Sequence, residues 1–186
     1  MKHLGTRILH TPRLILRPFR EEDAEAMFRN WASDPQVTKF LTWPTHANVE
    51  VSRSVLRDWV EKYADPAYYQ WAIVLNSGAD APIGSIAVVE QKPELNLAQI
   101  GYCIGRPWWR RGITSEALAG VLDFLFDEVG FHRIEAVHDA NNPHSGGVMR
   151  KCGLRWEGTL RSAGRNNQGI CDLCVYALLK EDREGR

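Results

Sequence analysis

Trp108-Trp109-Arg110-Arg111-Gly112-Ile113-Thr114-Ser115-Glu116 is the stretch on which the reading of this chain depends. Leu97 to Ile104, just before it, reads as a strand entered from the polar turn at Lys92-Pro93-Glu94. From Ser115 to Val129, just after it, Leu118, Val121, Leu122 and Leu125 recur at helical spacing and predict a helix with one buried stripe. The quoted residues therefore join a strand to a helix start, where the first backbone N–H groups have no partner inside the helix. Those donors and the helix dipole suit an anion, and Gly112 lets the main chain approach it closely. Arg110 and Arg111 add charge-assisted hydrogen bonds of the kind a pyrophosphate takes. A plain basic turn with Thr114 or Ser115 as N-cap fits the same residues. The stretch is neither a P-loop nor a Gly-x-Gly-x-x-Gly dinucleotide loop.

Working outward, Leu14 to Pro18 reads as a strand, Glu21 to Ala32 as a helix broken by Asp34-Pro35, and Val49 to Tyr63 as a second helix. Between the helices, Phe40-Leu41-Thr42-Trp43-Pro44 is too apolar for an idle loop and is expected to line a pocket. Gln70 to Leu75 and Pro82 to Val89 are strands, as are Arg133 to His138 and Leu173 to Leu179. Pro143 to Cys152 is a short helix. Its lead-in, Asp139-Ala140-Asn141-Asn142-Pro143-His144-Ser145, pairs an N-cap candidate with proline at the first helical position and puts Ser145 in the first turn. Gly146-Gly147 inside that turn is unusual, since each glycine costs a helix roughly 0.8–1 kcal/mol relative to alanine. It predicts a surface kept bare for a ligand or for close packing. Strands interleaved with about four helices give an α/β (α+β) sandwich around a mixed sheet. With no repeat and no linker, residues 1–186 are expected to form one domain, with a core from about residue 11 to residue 181.

Composition narrows the function classes. The chain has 186 residues, 44% hydrophobic and 25% charged, enough apolar material for a core without disulfides or a structural metal. Lys plus Arg and Asp plus Glu are 23 each, so a broad electrostatic grip on nucleic acid or an anionic membrane is not expected. No apolar run approaches the roughly 20 residues that cross a bilayer. Four cysteines in an ordinary chain predict free thiols and a cytoplasmic location. Cys171-Asp172-Leu173-Cys174 does not make a zinc site, because residues three apart on a strand face opposite ways and no second pair accompanies them.

Five blocks in order resemble the GNAT superfamily of acyl-CoA-dependent acyltransferases, and within it the RimJ/RimL type that acetylates protein N-terminal α-amines. They are Thr11 to Arg17, Pro82 to Ile86 with Ile100-Gly101-Tyr102, Trp109 to Ala117, the run from Asn142 and Ser145 through Lys151-Cys152-Gly153-Leu154, and Asp172 with Tyr176 to Leu179. The resemblance implies a mixed, mostly antiparallel twisted sheet with two splayed central parallel strands that form an acyl-CoA cleft. It implies acetyl-CoA as cosubstrate and no metal. Arg110, Arg111, Gly112, Ile113, Thr114 and Ser115 would bind the pyrophosphate, and Cys103 and Ile104 the pantetheine. Asn142 would hold the pantetheine or the acceptor, and Ser145 would stand near the thioester sulfur and assist the departing thiolate.

The chain also departs from the family pattern. Arg110 stands where relatives usually carry glycine, and Met149 where many carry a general-acid tyrosine. Gln99 replaces a glutamate that can act as base, which leaves the base unassigned. Phe40, Trp43, Gln99 and His138 are the substrate-side candidates. Trp71, Trp108 and Trp109 are further aromatic candidates for the acceptor wall, and Arg150 and Lys151 for the adenosine phosphates. The acceptor is expected to be a protein or peptide α-amine, with small amines (polyamine, amino acid or antibiotic) and a non-catalytic acyl-CoA-binding module as the alternatives. A homodimer is compatible with the sequence.

Overall fold

The computed structural model describes residues 1–184. Eight strands form one sheet in the order β1-β2-β3-β4-β5-β6-β8-β7. They are β1 (Leu9–His10), β2 (Leu14–Arg17), β3 (Gln70–Leu75), β4 (Pro82–Lys92), β5 (Leu97–Ile104), β6 (Arg133–Asp139), β7 (Arg155–Asn166) and β8 (Gly169–Leu179). Every neighbouring pair is antiparallel except β5–β6. On one face lie α1 (Ala24–Met27, prolonged by a wider turn over Phe28–Ala32), α2 (Pro35–Thr38) and α3 (Val49–Lys62). On the other lie α4 (Ile113–Asp123, widening over Phe124–Val129) and α5 (Pro143–Lys151). A short α6 (Glu181–Glu184) follows the last strand.

Local chemistry explains these elements. In β3, Trp71, Ala72, Ile73 and Val74 are all buried, as a central strand covered on both faces requires. Asn48 caps α3, its Oδ1 accepting from the N–H groups of Glu50 (3.0 Å) and Val51 (3.2 Å). The region from 21 to 32 is one succession of turns rather than one uniform α-helix. Its start is held by Asp23, which takes a two-pronged ion pair from the buried Arg17 at 2.8 and 2.9 Å. Glu116 ties the start of the chain to α4, accepting from Thr11 Oγ1 (2.6 Å), the Arg13 N–H (2.8 Å) and Arg13 Nε (2.6 Å).

The structure extends β4 by three residues and begins β8 at Gly169 rather than Leu173. It also adds β7, which the sequence pattern did not predict. Arg155–Asn166 is an edge strand that is exposed along most of its length and paired only with β8. It therefore has no alternating apolar face to reveal it.

One irregularity in the sheet matters most. The parallel pairing of β5 with β6 runs from Leu97↔Arg133 to Ile100↔Ala136 and stops there. β4 stays with β5 as far as Ile104, and β8 stays with β6 as far as Asp139. Beyond Ile100 and Ala136 the two central strands therefore diverge, each held by its outer neighbour. A bulge in β4 between Val88 and Glu90 lies next to this point.

Candidate active site at the strand divergence

A cavity of about 490 Å³ occupies the divergence. Cys103, Tyr102 and Gln99 of β5, His138 and Asp139 of β6, and Asn142 and Ser145 at the start of α5 line it. Phe40, Leu41, Thr42 and Trp43 form one wall, as expected of that apolar loop. The loop is pinned by the β7–β8 hairpin. Asn167 Nδ2 donates to the carbonyls of Thr38 and Trp43 (both 2.8 Å), and its N–H donates to Leu41 (3.2 Å).

At the α5 start, Asn142 occupies the N-cap position but its side chain caps nothing, which leaves the amide for other use. Ser145 is not a solvated hydroxyl. Its Oγ–H donates to Tyr102 Oη (3.2 Å), and Tyr102 Oη–H donates to the Ser145 carbonyl (2.9 Å). Burial pushes the Tyr102 phenol well above the usual tyrosine range, so it keeps its proton at neutral pH. Tyr102 belongs to the site through its side chain, whereas in the sequence it was only part of a strand motif.

Gly146 explains half of the glycine pair. A Cβ there would lie 2.5 Å from His138 Nε2, so the bare helix surface seats the imidazole. Gly147 faces open space, with nothing nearer than Arg150 Nη2 at 3.9 Å. His138 itself is buried, with Nδ1 2.7 Å from the Asp139 carbonyl. Since a carbonyl only accepts, Nδ1 carries the hydrogen. Burial pushes the Cys103 thiol up to about 11, so it lines the cleft as a neutral group.

The 110–115 loop lies at the start of α4, outside the walls of this cavity. Neither Thr114 nor Ser115 is the N-cap. Gly112 holds that position at φ +72°, in the left-handed region that favours glycine. Arg110 also adopts a left-handed conformation (φ +60°), so the turn keeps a glycine-like geometry although it carries a side chain. Ile113, Thr114 and Ser115 present the first three N–H groups of α4, which have no partner within the helix. Lys151 Nζ is close by, 3.3 Å from where a Gly112 Cβ would stand, and Arg13 Nη2 is 3.6 Å from the same point. Arg150 turns away and donates to Tyr176 Oη (2.8 Å). A concave backbone with unpaired donors and several cations is the environment a diphosphate needs.

Several aromatic candidates move. Trp71 is core, and neither Trp108 nor the exposed Trp109 lines the cavity; Trp109 Nε1 instead donates to the Ile104 carbonyl (2.8 Å). Trp31 and Trp59 do line it, from the α1 and α3 side. They were hidden within helical stripes, where a tryptophan reads as ordinary core. Among the described residues, no group of three His, Cys, Asp or Glu side chains could hold a metal ion.

A parallel pair that opens beside two helix starts is a feature of fold, and similarity decides the family. The pattern of the acetyltransferase (GNAT) domain matches residues 13–155. The chain belongs to the GNAT acetyltransferase family. It is 31% identical over 173 residues to the uncharacterized N-acetyltransferase YoaA of Bacillus subtilis, covering 93% of this chain and 97% of the relative. It is 29% identical over 177 residues to the uncharacterized N-acetyltransferase p20 of Bacillus licheniformis, covering 95% and 98%. A GNAT-family acetyltransferase from Bacillus anthracis superposes with a TM-score of 0.82 at 26% identity, covering 94% of this chain and 99% of that one. This GNAT protein is thus an acyltransferase that uses acetyl-CoA as cosubstrate. No helix among its described residues is long and apolar enough to cross a membrane.

Proposed function

We propose that this GNAT enzyme acetylates the N-terminal α-amine of a protein or peptide, as the RimJ/RimL type does, in a single domain working in the cytoplasm. The pyrophosphate of acetyl-CoA lies against the N–H groups of Ile113 to Ser115, with Arg110, Arg111 and Lys151 around it. The pantetheine fills the gap beside Cys103 and Ile104, where β5 no longer pairs with β6. Asn142 orients the pantetheine end. The neutral amine attacks the thioester carbon, the C–N bond forms, the C–S bond breaks, and the departing thiolate takes up the proton that the new amide nitrogen sheds. Ser145, in the first turn of α5, supports that thiolate by turning its O–H from Tyr102 Oη to the sulfur, while the Tyr102 O–H keeps its bond to the Ser145 carbonyl.

The observation that carries the peptide reading is the shape of the acceptor side. The aromatic cavity shares Thr42, Arg165 and Asn166 with an open polar depression of about 700 Å³ along the β7–β8 hairpin, lined also by Asn167, Gln168 and Gly169. Such a pair receives one buried terminal residue and lets the rest of a chain leave into water. The amine's own acidity supports the same choice. With ordinary pKa values of about 7.7–8.0 for an α-amine and about 10.4 for lysine, the α-amine is neutral roughly hundreds of times more often at pH 7. Gln99 stands in place of a carboxylate on β5, and whichever group takes the proton takes it more readily from the less basic amine.

The test is kcat/KM at pH 7 for a short peptide with a free N-terminus and blocked lysine, against the reverse peptide and a diamine. A higher value for the lysine form or the diamine overturns this reading. If none of the three releases free CoA from acetyl-CoA, the acceptor is of another kind and this reading fails as well.

A further inference from the structure

Among the described residues, Asp139 is the one carboxylate that lines the acceptor cavity, and it is 5% exposed. Glu50, Glu90 and Glu94 lie elsewhere. Glu50 faces Arg53, Glu90 faces Lys92, and Glu94 lies in the exposed β4–β5 turn. Asp139 Oδ1 accepts from the Asn141 N–H (2.7 Å) and Oδ2 from Asn166 Nδ2 (2.6 Å). Among the described residues no Lys, Arg or His bridges it, and Arg165, which lines the same cavity, makes no ion pair with it. A buried carboxylate with hydrogen bonds but no counter-charge is an expensive arrangement unless a cation arrives to complete it. A second group points the same way. Gln70, 6% exposed, lines this cavity from β3, and its Nε2 has no hydrogen-bond partner. Buried amide donors are almost always satisfied, so an orphan that borders a cavity marks a place for an occupant.

We infer that Asp139 receives the acceptor's ammonium at the strand divergence and takes its proton, standing in for the carboxylate that Gln99 lacks. This inference rests on the reading of the cavity as the acceptor site. The strand geometry suits it, since Asp139 ends β6 on the rim of the gap, one strand from Cys103 and next to the lead-in to Ser145. In the reaction one N–H bond of the ammonium breaks and an O–H bond forms on Asp139. The nitrogen lone pair then makes the C–N bond as the C–S bond breaks. A second N–H proton goes to the sulfur, which leaves as the CoA thiol, and Asp139 returns its proton to water as the amide departs. Gln70 donates to a carbonyl or hydroxyl oxygen of the same acceptor molecule.

The test compares the tripeptide Ala-Ala-Phe amide with its desamino analogue, propionyl-Ala-Phe amide, binding to the CoA-loaded protein by calorimetry. The wild type is expected to favour the free amine by about tenfold or more, as a fully buried charge pair does, and Asp139→Asn to abolish that preference while CoA affinity stays constant. Equal binding of the two peptides to the wild type, or an intact preference in Asp139→Asn, overturns the inference. The wild-type comparison decides the matter if the variant does not fold. Benzylamine against benzyl alcohol is measured in parallel. An Asp139-dependent preference seen only with that pair supports the role of Asp139 while refuting the α-amine acceptor.

Discussion

Gly146 and Gly147 are adjacent in α5 and should respond oppositely to alanine. Either substitution removes a glycine from a helix, a gain of roughly 0.8–1 kcal/mol. At Gly147 nothing opposes that gain, because the new methyl meets only Arg150 Nη2 at an ordinary contact distance of 3.9 Å. At Gly146 the methyl would stand 2.5 Å from His138 Nε2 and 3.2 Å from two ring carbons. The ring cannot step aside freely, since Nδ1 is held by the Asp139 carbonyl and its plane rests against Tyr176 with centroids 5.6 Å apart. Overpacking of this kind typically costs about 1–3 kcal/mol. Propensity cancels between the two variants, so Gly146→Ala should be less stable than Gly147→Ala by that 1–3 kcal/mol. Urea unfolding with an unchanged slope measures it, and for a chain of this length each kcal/mol also moves Tm by about 2–4 °C. Truncating the imidazole with His138→Ala should remove most of the difference, because the two sites share one contact. Equal midpoints for the two glycine variants in the His138 background of the wild type would refute the packing argument.

Gly112→Val should weaken CoA binding at least about tenfold in calorimetry, since φ +72° strains any branched residue and the added atoms point at Lys151; unchanged affinity in a folded variant removes the loop from the site. Ser145→Ala should lower kcat by about 10²-fold or somewhat less with CoA affinity unaltered, and a wild-type kcat would confine the hydroxyl to its bond with Tyr102. Because only the thiolate reacts with iodoacetamide, labelling of Cys103 should rise with pH through about 11 rather than through the ordinary value near 9, and acetyl-CoA should protect it. A labelling midpoint near 9, read residue by residue by mass spectrometry, would contradict the burial of that thiol.

The sequence by itself determined whatever depends on local periodicity and turn chemistry. Gln70–Leu75 and Leu97–Ile104 have the bounds their residue pattern predicts, α3 and α4 lie where their apolar spacing puts them, and α5 starts at Pro143 as its lead-in predicts. Gly112 was legible for the same reason: a glycine between a strand and a helix start serves a backbone conformation that few other residues adopt. Tertiary structure decided the rest. β7 exists because β8 offers it an edge to pair with, and its polar sequence carries no face of its own to announce that. The need for Gly146 is set by an imidazole on another element, which no helix propensity encodes. Trp31, Trp59, Gln70 and Asp139 come from four separate segments, and only the divergence of two paired strands brings them to one cavity. Helical and strand periods are read over a few neighbouring residues, whereas burial without a partner depends on everything packed around a side chain. That is why a carboxylate at the end of β6 looked like turn chemistry in the sequence and is, in the fold, buried with hydrogen bonds but no ion pair among the described residues.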